Sequence, residues 1–271
     1  MNVDRFFRRN TPLFKTDLNS FESQLNDIIQ DSSFLVVGGA GSIGSAVTQE
    51  IFSRNPKRLH VVDISENNLV ELVRRLRSEI GYIKGDFSSF VIDYGSKVFE
   101  RFFYDMAEYD YVLNLAALKH VRSERDIYTL LRLLETNTVL PISLARLIED
   151  KKPTNYFCVS TDKATKPVNL MGASKSLMEK FLFSMDGQLK ATTARFANVA
   201  FSDGSLLDGF TKRFAQQQPI SAPIDIARYF ITPREAGYLC LLTTVFGQHK
   251  ETFIPKLGGE LHPVSFEKLA T

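Results

Sequence analysis

The chain has 271 residues, 44% of them hydrophobic and 24% charged, with a net charge of +2. That balance supplies a sizeable core and excludes a disordered chain, a collagen-like repeat and a disulfide-stapled miniprotein. It gives no reason to expect nucleic acid or an anionic membrane as partner. No apolar run approaches the ~18 residues that span a bilayer, and residues 1–10 carry scattered charges in place of a signal-peptide core. Cys158 and Cys240 offer neither metal-ligand spacing nor a disulfide framework. The expectation is a soluble cytoplasmic protein with no metal.

Residues 1–33 are polar and mixed, and read as an N-terminal arm. Its basic-aromatic cluster Phe6-Phe7-Arg8-Arg9 is expected to pack on its own domain or on a second subunit. The apolar run Phe34-Leu35-Val36-Val37 ends in glycines and reads as a buried strand. A helix follows over about 42–54, then a strand over 59–62 and an amphipathic helix over 66–78 with Ser65 as its N-cap. Val91-Ile92 closes a third strand and 111–115 is a fourth. A long helical stretch runs over about 126–149, with Pro141 expected to kink or divide it. A fifth strand spans 156–160, a helix 173–185 and a sixth strand 193–196. Strands alternating with helices at this spacing imply an α/β fold, a doubly wound parallel sheet with helices on both faces, over residues 34–200. After residue 200 the alternation fades. Residues 201–271 are expected to form a small C-terminal substrate-binding lobe, and they stop without an evident closing element, as at a natural end or a truncation.

The stretch Gly39-Ala40-Gly41-Ser42-Ile43-Gly44 fits G-x-G-x-x-G, and Gly38, Gly41 and Gly44 also fit the wider G-x-x-G-x-x-G spacing. A strand precedes it and a helix follows. Missing side chains let a pyrophosphate approach the backbone, and the helix N-terminus supplies N–H groups and a favourable dipole. Asp63 lies nineteen residues after Gly44, at the end of the second strand, where a carboxylate accepts from adenosine ribose hydroxyls. A carboxylate repels a 2′-phosphate, and neither Ile64 nor Ser65 offers a cation, so NAD is favoured over NADP. Asp93 ends the third strand, placed for an adenine contact or, equally, for a turn before Gly95. Ala116 and Ala117 follow the fourth strand, small enough for a cofactor to come close. The fold is therefore Rossmann-like.

The fifth strand ends in Val159-Ser160-Thr161-Asp162-Lys163, and Met171-Gly172-Ala173-Ser174-Lys175 follows nine positions after Asp162. A hydroxyl, an acid and an amine at the carboxyl edge of a parallel sheet are a proton-transfer set. Read in isolation, Asp162 and Lys163 would be a solvated loop pair.

The stretches VVGGAGSIG, NLAALKHVRSE, VSTDKATKPVNLMGASK, RFANVAFSDGSLL and RYFITPREAG cover most of residues 34–240. Through them the chain resembles the extended short-chain dehydrogenases/reductases. Within these it is most similar to the bacterial polysaccharide-biosynthesis nucleotide-sugar 4,6-dehydratases acting on nucleotide-activated N-acetylglucosamine, including those feeding legionaminic acid-type sugars. The resemblance implies a bound NAD that takes a hydride from C4, loss of the C5 proton and the C6 hydroxyl as water, and return of the hydride to C6, giving a 4-keto-6-deoxy sugar. It assigns Thr161 to the C4 oxygen, Asp162 to the departing hydroxyl, Lys163 to the C5 proton and Lys175 to the nicotinamide ribose. Met171 stands where the superfamily usually carries a tyrosine, and methionine cannot remove a hydroxyl proton. This matches a methionine-containing subgroup of the dehydratases in which Thr161 and Asp162 relay the proton.

The same resemblance puts Lys119 and His120 near the sugar, Asn198 at the diphosphate, Arg228 at the nucleotide phosphate and Ser205 in the nucleotide pocket. A UDP sugar is the expected substrate, with the GDP sugar, a C4-epimerase and a non-catalytic dinucleotide-binding protein as the rivals. Relatives of this kind associate, so a homo-oligomer is expected.

Overall fold

The computed structural model describes residues 7, 9, 11–106, 108–185, 189–256 and 261–270. Seven parallel strands form one sheet: β1 (Ser33–Val37), β2 (Arg58–Asp63), β3 (Asp86–Val91), β4 (Tyr111–Asn114), β5 (Asn155–Val159), β6 (Ala191–Ala194) and β10 (Thr252–Phe253), in the order β10-β6-β5-β4-β1-β2-β3. The order reverses between β1 and β4, which pair in parallel from Phe34↔Tyr111 to Val37↔Asn114. A ligand crevice therefore opens beyond their carboxyl ends.

β1 is buried at every position, as a central parallel strand requires. Phe34 and Val36 face one helical layer and Leu35 and Val37 the other. The first layer holds α3 (Ser42–Phe52), α4 (Glu66–Glu79) and α10 (Pro233–Phe246). The second holds α5 (Lys97–Asp105), α7 (Leu140–Glu149) and α8 (Leu170–Ser184).

Two sequence expectations change, and the arm gains detail. It packs on its own domain: α1 (Lys15–Ser20) and α2 (Glu22–Gln30) bury Leu18, Leu25 and Ile29 in the first-layer core. The helix expected over 126–149 is divided. A 3-10 turn (Val121–Arg125) leads into α6 (Ile127–Leu134), a π turn (Glu135–Val139) follows, and α7 continues with Pro141 in its first turn, where a missing N–H costs little.

Residues 201–271 are not one lobe. α10 is buried on nearly every side from Glu235 to Val245, because it packs along α3 and against β5 and β6 with α1 on its outer side. β10 then pairs with β6. Outside the sheet remain two short pairs, β7 (Asn198–Val199) with β9 (Phe230–Ile231) and β8 (Ala227–Arg228) with β11 (Val264–Ser265), together with α9 (Leu206–Ala215) and α11 (Phe266–Ala270). They enclose a small core of Phe7, Ala200, Leu207, Phe210 and Phe230. Among the described residues, no helix is long and apolar enough to cross a membrane.

Candidate active site

The glycine loop lies between β1 and α3. Gly38 takes φ +71°, and a Cβ there would fall 2.5 Å from the Ala116 nitrogen. At Gly44 a Cβ would meet the Gly38 carbonyl oxygen at 2.0 Å. Both glycines are demanded by the protein's own backbone. Gly41 is not: the nearest atom to a Cβ there is the Gly38 oxygen, at 3.5 Å. Its open side faces the crevice, which Ser42, Ile43 and Gly44 also line. No side chain caps the N-terminus of α3, so its N–H groups and dipole face the same space.

Asp63 is nearly buried. Its Oδ2 accepts from the Ala40 N–H at 3.0 Å and its Oδ1 from the Ser65 N–H at 3.0 Å, so one carboxylate ties the glycine loop to the start of α4. Asp63, Ile64, Asp93, Ala116 and Ala117 line a space of about 250 Å³ with Gly38 and Gly41. Ser65 caps α4 through Asn68 and is not on this wall. Asp93 accepts from the Gly95 N–H at 2.9 Å as a turn residue, and it also stands on the wall, beside Arg132 at 3.4 Å.

A larger space of about 550 Å³ continues past Gly41 and Leu118. The Thr161 hydroxyl donates to Asp162 Oδ1 at 3.0 Å, and Lys163 Nζ donates to the same oxygen at 3.1 Å. Thr161 and Lys163 line the space; all three groups are at least partly exposed. Asn169 caps α8 through the Gly172 N–H at 2.8 Å, which starts the helix three residues earlier than periodicity suggests and puts Met171 in its first turn. Met171 is buried on the cavity wall. Lys175, one turn on, is 4% exposed, and its nearest polar partner is the Met178 sulfur at 3.9 Å. Burial lowers its pKa, opposed by Cys158 and Glu179.

At the far end, Lys119 Nζ donates to the Ser202 hydroxyl at 3.0 Å. Burial lowers the Lys119 pKa, and Asp203 and Asp208 oppose that shift. His120 packs on Gly204, which takes φ +68° and would carry a Cβ 2.9 Å from the imidazole. Ser205 caps α9 and lines the space. Asn198 lines it too, its amide donating to the Tyr229 carbonyl at 3.4 Å.

Arg228 departs from the expectation. It is exposed on β8, its guanidinium bonds the neighbouring Ala227 carbonyl at 3.1 Å, and it is not on the cavity wall. β8 needs β11 as its ladder partner, and that pairing holds it at the edge of the lobe. Sequence reasoning missed Asn137, whose amide accepts from the Leu118 N–H and donates to the Leu118 carbonyl and to Ser174. The polar run Thr136-Asn137-Thr138 inside an apolar helix was the available signal. It also missed Phe230 and Phe266, both on the wall.

A family model described as "polysaccharide biosynthesis protein" matches residues 34–271. The chain belongs to that family. Among curated relatives, the chain is 32% identical over 256 residues to a Methanocaldococcus jannaschii protein called "uncharacterized membrane protein MJ1061", covering 91% of this chain and 74% of that one. It is 26% identical to the Staphylococcus aureus capsular polysaccharide biosynthesis protein CapD over 246 residues, 89% of this chain and 40% of CapD. It thus spans about two-fifths of that relative's length. It is 28% identical to the Rickettsia massiliae UDP-glucose 4-epimerase, over 83% of this chain and 66% of that enzyme. Among solved structures, Pen from Bacillus thuringiensis superposes with a TM-score of 0.77 at 25% identity, over 89% of this chain and 72% of Pen. The dTDP-glucose 4,6-dehydratase DesIV from Streptomyces venezuelae, crystallised with NAD and TYD, shares the fold with a TM-score of 0.72 at 18% identity, over 88% of this chain and 79% of DesIV.

Proposed function

We propose that this chain is an NAD-dependent nucleotide-sugar 4,6-dehydratase acting on nucleotide-linked N-acetylglucosamine, the UDP sugar first, for polysaccharide synthesis. The observation that carries the reading is that Thr161 and Lys163 line the same crevice as the glycine loop and are joined through Asp162 Oδ1, with Met171 in place of a hydroxyl. A dinucleotide fits the residues present. Gly41 keeps an open face that the protein's own packing does not need, and the Lys175 ammonium is buried with only a thioether in reach, which suits ribose hydroxyls as acceptors. Asp63 disfavours a 2′-phosphate, and the Arg132 guanidinium on that wall is already paired with Asp93 and Glu135. NAD is therefore preferred to NADP. The nucleotide-sugar 4,6-dehydratase DesIV and the UDP-glucose 4-epimerases support the reaction class.

A bound nicotinamide would supply a reversible hydride acceptor. The chain's residues then handle protons. The Thr161 hydroxyl passes the C4 hydroxyl proton to the Asp162 carboxylate, to which it is already bonded. Protonated Asp162 no longer holds the Lys163 ammonium, which is partly exposed and gives one proton to solvent water. The amine so formed takes the C5 proton, made acidic by the new C4 ketone, and returns a proton to C5 when C6 receives the hydride. Asp162 returns its proton to the C6 hydroxyl as it leaves as water. Met171 contributes shape and excludes water, not a proton. The lobe around Leu207 and Phe210 would hold the nucleotide. A second copy would pack on the apolar face shared by α6 and α8.

The test is mass spectrometry and proton NMR of UDP- and, separately, GDP-N-acetylglucosamine incubated with the protein in deuterated water. Loss of one water and deuterium at C5 are expected from one of them, and Lys163→Ala should abolish both while keeping NAD bound. Neither sugar changing in an NAD-loaded protein would overturn the reading.

A further inference from the structure

The aromatic wall at the substrate end of the cavity is held from behind by the N-terminal arm. Phe230 and Phe266 line the cavity with their rings edge to face, centroids 5.7 Å apart at 88°. Behind Phe230, on the side away from the cavity, Phe7 stacks at 5.5 Å and 15° and is 1% exposed. Two residues on, Arg9 reaches both ways. Its Nη1 lies 2.6 Å from each carboxylate oxygen of Glu235, and its Nη2 donates to the Phe230 carbonyl. Glu235 also accepts from the backbone N–H groups of Leu13 and Thr232, each at 2.7 Å, and completes a capping box at the start of α10. Since α10 lies along α3, the helix that begins at the glycine loop, Arg9 connects the cavity wall to the rigid half of the molecule. Both arm residues precede residue 34, where the family match begins.

We propose that Phe7 and Arg9 are positioning residues for the nucleotide-sugar end of the cavity, holding Phe230 and with it Phe266 at the wall. The proposal rests on the dehydratase reading for what occupies that end, and on geometry alone for which residues hold it. The short β7–β9 and β8–β11 pairs give the wall little rigidity of their own, two residues to a strand. A guanidinium that bonds a carboxylate through one nitrogen and a backbone carbonyl through the other, with a stacked ring beside it, supplies the fixed geometry that such pairs lack. The bond from Arg9 goes to the backbone of the very residue whose ring faces the cavity, so displacing it moves that ring.

Arg9→Ala would leave the buried Glu235 carboxylate unpaired and is prone to misfold, so Phe7→Ala and Phe7→Leu carry the test. Calorimetry with UDP, with GDP and with NAD reads the two ends of the crevice separately. In Phe7→Ala the affinity for the preferred nucleoside diphosphate should fall about tenfold while NAD binding stays within about twofold, with Phe7→Leu between. Hydrogen exchange should rise in 229–232 and 264–267 and stay unchanged in 34–44. Both affinities falling together, or neither changing in a folded variant, would overturn the positioning role. So would exchange that rises everywhere or nowhere. Wild-type protein that binds neither nucleotide would instead count against the dehydratase reading, and the exchange pattern would still decide whether the arm holds the wall.

Discussion

Asn137 clasps Leu118: its Oδ1 accepts from the Leu118 N–H at 2.9 Å and its Nδ2 donates to the Leu118 carbonyl at 2.8 Å, with Ser174 as a further acceptor at 3.2 Å. The amide completes the backbone of a loop that has no strand to pair with, immediately before Lys119 and His120. Asn137→Ala removes the clasp and leaves buried polar groups unsatisfied, at about 2 kcal/mol. A fall in Tm of about 5 °C should be seen by calorimetry, with the nucleotide-sugar KM rising more than the Kd for NAD. Asn137→Asp, which keeps one of the two Leu118 bonds, should lie between.

Gly41 and Gly44 should respond oppositely to the same added methyl group. Gly44→Ala forces a Cβ to 2.0 Å from the Gly38 oxygen, so the protein itself must give way and should lose several degrees of Tm. Gly41→Ala meets nothing closer than 3.5 Å and should melt like the wild type while binding NAD at least tenfold more weakly. Equal NAD binding by Gly41→Ala would separate the loop from the cofactor.

Lys175 is buried with only the Met178 sulfur in reach, and its charge is held at the folded protein's expense. Because burial lowers its pKa, the unfolded chain binds its proton more tightly than the folded one. The resulting destabilisation is full below the folded pKa and fades as pH rises toward the ordinary lysine range near ~10.4. Lys175→Met should therefore raise Tm at neutral pH, and the gain should shrink as pH rises toward the ordinary lysine range. The same variant should bind NAD at least tenfold more weakly. A pH-independent gain would mean that shape and not charge is responsible.

The paired helices α6 and α8 expose Ile127, Tyr128 and Leu131 alongside Leu170, Leu177 and Phe181. Six large apolar side chains on one surface favour association. Light scattering of the wild type at micromolar concentration should give a dimer or larger, and Leu131→Asp with Phe181→Asp should give a monomer of unchanged fold. A monomeric wild type would refute this face as an interface.

Much of this was legible where burial imposes one pattern. β1 and β4 read as apolar runs because central parallel strands are covered on both faces, and Gly38 and Gly44 stand out because the backbone admits nothing larger. α10 and β10 were not legible: a helix apolar on nearly every side has no stripe to read, and a two-residue strand has no period. The arm was unreadable for another reason. α1 has 6 residues and buries Leu18 alone, so its tertiary contacts, not its sequence, define it. At the site, Thr161, Lys163 and Lys175 were found from strand-end position and motif together, whereas Arg228 was placed by resemblance alone, and its ladder pairing leads elsewhere.

The π turn at Glu135–Val139 has a mechanical meaning. An α-helix advances about 100° per residue, and a π turn takes up one residue more than an α turn without lengthening the helix. It therefore works as a phase adjuster. Upstream it lets α6 bury Leu133 and downstream it lets α7 bury Leu144, Ala145 and Ile148, with Asn137 at the step between them. Deleting one residue there would close the π turn to an ordinary α turn and leave the buried faces of α6 and α7 where they are. Deleting one from the first turn of α7 would instead rotate everything after it by about a quarter of a circle, and α7 would present Glu149 to the sheet where Ile148 now lies.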